Sequence, residues 1–238
     1  MSVSQIDFRA LSRAEMAGYI QSTQIQPNLT RAEITAHIEA CARYQFNAAM
    51  IAMCWVPLAC EILKGTPVKV ATFFGFAMGN ESLGGKVALM QECRRLGAEE
   101  VDYAPNMGYF LSGMYDEFRQ EAAELVKAAE GMPVKVMLQT GFLPDDEHKR
   151  QAARLLDEGG VQWVKNSSGG WAPGATPATP EDIRLLRAAV SPRCKVKASG
   201  KINGYETAVS LLEAGAELLG TSSGPQILQG LEMAQSEY

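Results

Sequence analysis

The chain has few of the residues from which metal sites are built. Among its 238 residues there are two histidines, and both His37 and His148 fall in stretches typical of helices. The five cysteines are an odd number without a Cys-x-x-Cys pair, which argues against a disulfide framework and against a zinc site. We therefore expect reduced cysteines and no bound metal.

An excess of basic charge and long apolar runs are also lacking. The 22 lysines and arginines are outnumbered by 27 aspartates and glutamates, so the formal net charge is −5. That balance argues against nucleic acid or an anionic membrane as the main partner. No apolar run approaches the roughly 20 residues of a transmembrane helix, and the N-terminal residues lack the apolar core of a signal peptide. These absences predict a cytoplasmic protein.

The sequence does contain a regular alternation of apolar runs of strand length with amphipathic runs of helix length. Strands are predicted at residues 19–23, 47–53, 68–75, 100–105, 134–140, 161–167, 195–200 and 218–222. Helices are predicted at residues 31–44, 83–96, 115–129, 146–158, 180–189 and 204–214. Thr30 and Thr179 are candidate N-caps, and Gly97, Gly159 and Gly215 follow the predicted helix ends.

Strand–helix units without a long antiparallel section predict parallel strands joined by crossovers. Eight such units in 238 residues favour an α/β fold of the (β/α)₈ TIM-barrel type. A doubly wound Rossmann or flavodoxin sheet is the alternative, but no Gly-x-Gly-x-x-Gly turn follows the first strands. We expect one domain over residues 1–238, with a short N-terminal extension at about 1–15 and a C-terminal tail at about 229–238.

Several predicted strands alternate charged with apolar side chains. Asp102 lies on the charged face of the fourth strand and Lys197 on that of the seventh, while the sixth strand ends on Lys165. Aliphatic faces of barrel strands pack on the helices, so we expect the charged faces to point into the lumen, with Val161 and Trp163 filling its lower part. A barrel lumen normally holds branched aliphatic residues, so converging ionisable groups indicate a reaction site.

Two lysines and a carboxylate suit a specific chemistry. A lysine amine attacks a carbonyl only when unprotonated, so its pKa must fall from about 10.4 towards neutrality. Desolvation and a second nearby cation both lower an amine pKa, and Lys165 and Lys197 lie on neighbouring predicted strands. The resulting iminium is an electron sink beside which a carbon–carbon bond forms or breaks. Asp102 is then a candidate to relay the proton of the adjacent carbon.

Loops rich in glycine and serine follow the last three predicted strands. They are NSSGGWAPG after Lys165, ASGKING after Lys197 and GTSSG at residues 220–224. Backbone amides at the ends of strands seven and eight are the usual phosphate site of this fold. We therefore expect phosphate binding, with ordinary tight turns as the alternative.

Seven segments together resemble the deoxyribose-phosphate aldolases, class I aldolases that interconvert 2-deoxyribose 5-phosphate with glyceraldehyde 3-phosphate and acetaldehyde. The resemblance spans about residues 19–228. The segments are WVPLA (55–59), VKVAT (68–72), GAEEVD (97–102), NMG (106–108), WVKNSSG (163–169), KVKASG (195–200) and GTSSG (220–224).

The resemblance implies a role for each candidate residue. Lys165 would form the Schiff base, Lys197 would favour the neutral form of that amine, and Asp102 would relay protons. The phosphate pocket would be lined by Gly169, Gly200, Ser222 and Ser223, with Lys201 beside it. Some members end in a tyrosine that assists proton transfer, as Tyr238 would here.

The resemblance also implies aldehyde and sugar-phosphate substrates, no cofactor and no metal. Barrels often associate through their helices, so we expect a homo-oligomer, with a dimer as the default.

The chain departs from the family pattern at several lumen and rim positions. The family's Asp-His-Thr becomes Gln21-Ser22-Thr23, and its Leu-Lys-Pro becomes Ile25-Gln26-Pro27. Its Glu-Thr-Gly becomes Gln139-Thr140-Gly141, and its Gly-Gly-Ile-Arg becomes Gly200-Lys201-Ile202-Asn203. Losing two carboxylates leaves a less negative lumen, which favours a neutral amine. The departures therefore bear on substrate identity more than on Schiff-base chemistry.

Two alternatives to deoxyribose 5-phosphate cleavage stay open on the sequence. One keeps the lysine chemistry but uses a different or unphosphorylated aldehyde. The other is a noncatalytic barrel that binds a sugar phosphate.

Overall fold

The computed structural model describes residues 6–169 and 172–236. Within these ranges, eight parallel strands form a closed barrel in chain order, with β8 pairing β1. The strands are β1 Ile20–Gln24, β2 Ala48–Ile51, β3 Lys69–Phe74, β4 Glu100–Tyr103, β5 Val134–Met137, β6 Trp163–Lys165, β7 Lys195–Ser199 and β8 Leu218–Thr221. The predicted (β/α)₈ barrel is confirmed.

Helices connect the strands and surround the barrel. They are α1 Arg13–Gly18, α2 Arg31–Tyr44, α3 Val56–Ile62, α4 Leu83–Leu96, α5 Met107–Leu111, α6 Tyr115–Ala128, α7 Asp146–Glu158, α8 Pro180–Ala189, α9 Tyr205–Glu213 and α10 Gly224–Ser236. Short 3₁₀ helices lie at Met53–Trp55 and Thr140–Phe142.

Local capping explains where several helices begin and end. The Thr30 side chain accepts a hydrogen bond from the backbone of Glu33, whose side chain bonds back to Thr30, so α2 starts with a capping box. Thr179 caps α8 through the backbone of Asp182. Gly97 ends α4 in the left-handed region at φ 98°, where a side chain is disfavoured. These predicted caps are confirmed.

The two faces of the strands meet different surroundings. Val101, Val134, Val136, Val164 and Val196 are fully buried in the large core between barrel and helices. A separate small cluster lies on the opposite face, inside the barrel, and consists of Ala48, Met50, Ala71, Ile25 and Phe73. The apolar filling of the lumen is therefore concentrated on the β2–β3 side, and the β4–β7 side is left for polar groups.

Four helices depart from the sequence interpretation. No helix was assigned to α1, α3 or α5, which span six, seven and five residues and offer little periodicity. The segment expected as a tail from about residue 229 continues α10 to Ser236, with Leu231 fully buried. Among the described residues, no helix is both long and apolar enough to cross a membrane.

Candidate active site

Parallel strand register brings the three predicted catalytic side chains to one level of the lumen. Lys165 ends β6 and lies opposite Lys197 on β7, and Met137 on β5 lies opposite Lys165. Asp102 comes from β4 across the lumen. All three side chains are buried, with 5% of Lys165 exposed and none of Lys197 or Asp102. The structure thus brings together the residues singled out by their charge on apolar strands.

Both lysines bond the same carboxylate oxygen. Lys165 Nζ donates to Asp102 Oδ2 at 3.1 Å, and Lys197 Nζ donates to that oxygen at 2.8 Å. The other oxygen, Asp102 Oδ1, is buried and has no hydrogen-bond partner within the described residues. It lies 3.8 Å from Lys135 Nζ, so the Asp102 carboxylate faces a third lysine as well.

The lower lumen is charged rather than apolar, which corrects the expectation for Val161 and Trp163. Val161 packs in the outer core. The Trp163 ring is only half-buried and lies 6.0 Å from Lys135 Nζ and 5.3 Å from Lys195 Nζ. An aromatic face stabilises nearby cations, so this indole supports charge instead of excluding it.

Glu100 organises the lower charges. Its carboxylate accepts from Lys69 Nζ at 2.7 Å and from Lys135 Nζ at 2.5 Å. Gln21 Nε2 donates to the same carboxylate at 2.6 Å, while Gln21 Oε1 accepts from Lys197 Nζ at 2.6 Å. One continuous polar chain therefore joins Lys197 to the lower end of the barrel, where half of the Lys69 side chain is exposed.

Burial and charge together set the protonation of this cluster. Burial lowers the pKa of Lys197 to about 7; the charge of Asp102 opposes this shift, and those of Lys165 and Lys135 add to it. Burial disfavours the charged form of Asp102, but the charges of Lys197, Lys165 and Lys135 outweigh it and hold its pKa well below the ordinary value. Asp102 is therefore an ionised acceptor, while Lys197 can lose a proton near neutral pH.

A cavity of about 360 Å³ opens above this cluster at the C-terminal ends of the strands. Four of the five predicted phosphate residues line it, namely Gly169, Gly200, Lys201 and Ser222. Ser223 lies outside the lining that the structure describes, and its backbone N–H donates to Thr221 Oγ1 at 2.9 Å. Gln26 and Asn203, two positions that depart from the family pattern, also line the cavity.

Glycine is required where the loops after β6 and β7 approach each other. Gly200 has φ 110°, and a Cβ there would lie 2.3 Å from the carbonyl oxygen of Thr176. Lys201 follows in the left-handed region at φ 53° with its side chain exposed at the rim. The backbone at Gly200 therefore carries no side chain that would cover it, and the Lys201 side chain places one positive charge beside it.

A second cavity, of only about 10 Å³, lies beside Lys165 and shares lining residues with the outer cavity. Asp102 and Lys165 line it on one side, and the apolar side chains of Met50, Phe73 and Met137 line it on the other. Thr23 and Ser168 line both cavities, so they mark the junction. A ligand with an anionic end at the rim would place its other end at Lys165.

Some residues of the site were not identified from the sequence. Glu100 and Lys135 share the charged strand faces with Asp102, so a signal for them was present. Gln139 was noted only as a departure from the family pattern: it is buried at φ 51°, accepts from Ser168 N at 2.5 Å and donates to Pro173 O at 2.6 Å. It fixes the loop after β6 from the neighbouring strand end.

Two further expectations concern the C-terminal Tyr238 and the absence of a bound metal. Tyr238 lies outside the described residues, as do Gly170 and Trp171 of the loop after β6. Within the described ranges, no group of three or more histidine, cysteine or acidic side chains could hold a metal ion.

Solved aldolase structures share this barrel. An aldolase named QR15 superposes with a TM-score of 0.86 at 32% identity, covering 94% of this chain and 98% of that chain. The tetrameric deoxyribose phosphate aldolase from Aeropyrum pernix gives a TM-score of 0.83 at 28% identity, covering 93% of this chain and 92% of that one.

Sequence relatives are consistent with these structures, although no protein-family model matches the chain. The deoxyribose-phosphate aldolase of Dictyoglomus turgidum is 38% identical over 221 residues, covering 93% of this chain and 99% of that protein. The enzyme of the same name from Caldanaerobacter subterraneus is 39% identical over 221 residues, covering 92% of this chain and 94% of that protein. With a lysine pair on a shared carboxylate in the lumen and relatives of this identity over nearly its whole length, the chain belongs to the deoxyribose-phosphate aldolase family.

Proposed function

We propose that the protein is a class I aldolase that reversibly cleaves 2-deoxyribose 5-phosphate to glyceraldehyde 3-phosphate and acetaldehyde. The observation that carries this proposal is the pair of buried lysines on Asp102 Oδ2, beneath a cavity with a cationic rim. Lys165 lines the inner cavity, so it is the nucleophile in this proposal. Lys197 is fully buried and acts from behind it.

The covalent steps follow from the electron sink that an iminium provides. Lys165 Nζ adds to the C1 carbonyl of the open-chain sugar, and loss of water gives the iminium. Removal of the C3 hydroxyl proton breaks the C2–C3 bond, whose electron pair moves into the iminium. Glyceraldehyde 3-phosphate leaves, and an enamine remains on Lys165. Protonation at C2 and hydrolysis then release acetaldehyde and restore the amine.

Asp102 and Lys197 are the proton carriers in this scheme. Asp102 lines the inner cavity and is held as a carboxylate, so it can accept from the water or hydroxyl that the carbon centre exchanges. Because Lys165 and Lys197 share Asp102 Oδ2, a proton lost by either lysine can be replaced from the other. When the two lysines together hold one proton fewer, the Lys165 amine can be unprotonated and attack the C1 carbonyl.

The phosphate end belongs at the rim. Gly200, Ser222 and Lys201 line the outer cavity, and α10 begins two residues after Ser222. Helix N-terminal amides and a lysine both favour an anion. Gln26 and Asn203 add neutral polar groups, which suit sugar hydroxyls.

Trapping with borohydride tests the Schiff base directly. Acetaldehyde and borohydride together should add an ethyl group to Lys165, identified by peptide mass spectrometry. Lys165→Ala should prevent the adduct and lower the retro-aldol rate at least about 1,000-fold. The Lys195→Ala variant lacks an exposed lysine two residues from Lys197, and its Lys165 should still form the ethyl adduct. An unmodified wild-type chain would show that the mechanism is wrong.

Comparison of two substrates tests the phosphate site. We expect kcat/KM for deoxyribose 5-phosphate to exceed that for deoxyribose by about 100-fold or more, because the rim contributes charge-assisted hydrogen bonds. Equal values would favour the unphosphorylated alternative. Binding of the phosphate sugar without any turnover would favour a noncatalytic barrel.

We also propose a single-domain, homo-oligomeric protein of the cytoplasm. The relative from Aeropyrum pernix is described as tetrameric, which supports self-association in general and not a particular number of subunits. A charged sugar phosphate does not enter a bilayer readily, so its enzyme belongs in the compartment where the substrate is made.

A further inference from the structure

We propose that Gln21 is a positioning residue that controls how readily the Lys165–Lys197 pair gives up a proton. This inference rests on the proposed aldolase function and assigns a role to a residue that forms no covalent bond. Gln21 lies on β1 and is fully buried inside the barrel.

The orientation of the Gln21 amide is fixed by its partners. Its Nε2 donates to Glu100 Oε2 at 2.6 Å and to Asn47 Oδ1 at 3.0 Å, so both of its protons are used. Its Oε1 accepts from Lys197 Nζ at 2.6 Å. A reversed amide would place its oxygen against the Glu100 carboxylate, which can only accept, and would lose the hydrogen bond from a protonated Lys197.

Glu100 makes this orientation secure because it is held as a carboxylate. Lys69 and Lys135 both donate to it, at 2.7 and 2.5 Å. A carboxylate with two lysine partners offers Gln21 an acceptor at every pH where Lys197 titrates. The Gln21 oxygen is thereby kept on Lys197 throughout catalysis.

Lys197 therefore donates to one neutral acceptor, Gln21 Oε1, on the side away from the cavity. The charged groups that act on it are Asp102 from β4, Lys135 from β5 and Lys165 from β6, and Glu100 from β4 bonds the other end of the Gln21 amide. On the β8 side the neighbour is Gly220, where a Cβ would lie 3.1 Å from Lys197 Cε. An amide holds the amine in place without adding the negative charge that would favour its protonated form.

The direction of the Lys197 pKa agrees with this arrangement. It falls to about 7 although Asp102 is 2.8 Å away, because burial and two neighbouring cations outweigh one carboxylate. A second carboxylate at position 21 would reverse that balance, since an opposite charge within about 4–6 Å shifts a pKa by roughly 1–3 units.

Two substitutions test the role with opposite expected effects. Gln21→Glu keeps the length of the side chain and adds an acceptor that can be charged. Gln21→Met keeps the length and removes the acceptor. The readout is the pH dependence of the rate at which acetaldehyde is trapped on Lys165 by borohydride, together with that of retro-aldol kcat/KM. We expect the acid limb of both profiles to move up by about one unit or more in Gln21→Glu and down in Gln21→Met.

The outcomes separate this inference from the proposed function. A wild type without an adduct defeats the aldolase mechanism itself. A wild type with an adduct, combined with acid limbs that stay within about 0.2 unit in the variants, overturns only the role of Gln21. Thermal unfolding shows whether each variant is folded. If Gln21→Glu is unfolded, the acid limb of the Gln21→Met profile is the test, and an acid limb that does not move counts against the proposal.

Discussion

Lys201 combines an exposed charge with a backbone conformation that lysine rarely adopts. Its φ of 53° places the side chain at the cavity rim immediately after Gly200. An exposed lysine contributes modestly to anion binding, and salt screens that contribution. We expect Lys201→Gln to raise KM for deoxyribose 5-phosphate about 5-fold at low ionic strength and to leave kcat unchanged. Steady-state kinetics at low and high salt measure both.

Lys64→Gln is the matched control for this change. Lys64 is exposed and follows α3 in the connection to β3, at the opposite end of the barrel, so its removal changes net charge equally. An equal rise in KM in both variants would mean that Lys201 acts through overall charge and not at the rim.

Individual side chains differ in how far the sequence reveals them. Lys165, Lys197 and Asp102 could be found because a charge on an apolar strand is unusual. Gln21 was visible only as a departure from the family's aspartate, and its role could not be found because it depends on contact with Lys197, 176 positions away along the chain. The position of Ser223 outside the cavity likewise depends on the Thr221 side chain that occupies its N–H.

At the scale of elements, a buried ion pair joins two helices to the end of β4. Lys86 Nζ on α4 donates to Glu121 Oε2 on α6 at 2.8 Å and to the carbonyl of Ala104 at 3.1 Å. Glu121 also accepts from the backbone N–H of Asn106 at 3.0 Å. The pair therefore fixes the chain just beyond Asp102.

Each charge of this pair depends on the other. Burial raises the pKa of Glu121 and lowers that of Lys86, and each partner opposes the shift of the other. We expect Lys86→Met or Glu121→Leu alone to lower the free energy of unfolding by about 3–5 kcal/mol, because one buried charge loses its partner. The double substitution should cost clearly less than the sum. Urea unfolding of the four proteins completes the cycle.

Arg95→Met is the control on the same helix. Arg95 pairs with Glu92 at 2.6 Å on the exposed face of α4, where solvent screens an ion pair and it contributes little to stability. If the single changes at Lys86 and Glu121 cost no more than this one, the buried pair does not anchor the helices.

Element boundaries were predicted best where local chemistry defines them. Helices α2 and α4 begin at side-chain caps and end at left-handed residues, and their observed bounds equal the predicted ones. Helix α10 contains Pro225 and Gly230, which lower helix propensity, and it forms because tertiary packing buries Leu231. A local sequence pattern does not reveal such tertiary packing, so α10 could not be predicted from it.

For the whole molecule, closure of the barrel follows from alternation of strand and helix, but the division of the lumen does not. The apolar cluster of Ala48, Met50 and Ala71 and the charged cluster around Glu100 occupy different sides of one interior. Which residues meet there depends on register between all eight strands, which no single strand encodes. The expected apolar lower lumen was wrong for this reason.

Glu100 connects distant parts of this closed barrel. Through Lys69, Lys135 and Gln21 it joins β3, β5 and β1 to β4. Burial opposes its ionisation, but the charges of Lys135 and Lys69 lower its pKa from 4.5 to about 2. A carboxylate whose pKa is lowered on folding stabilises the folded state fully above its unfolded pKa, and that contribution is lost as the pH falls through the folded pKa.

We expect Glu100→Gln to lower the free energy of unfolding by about 3 kcal/mol at pH 7, since 1.36 kcal/mol corresponds to one pKa unit and Lys135 is left without its carboxylate. The cost should shrink as the pH falls from 4.5 towards 2, because Glu100 takes up a proton in the unfolded chain over that range while the folded protein still holds it ionised. Urea unfolding at several pH values measures this difference. Glu61→Gln, at an exposed position on α3, should change stability by less than about 0.5 kcal/mol at every pH. A cost at Glu100 that stays constant down to pH 3 would show that shape, and not charge, closes the lower end of the barrel.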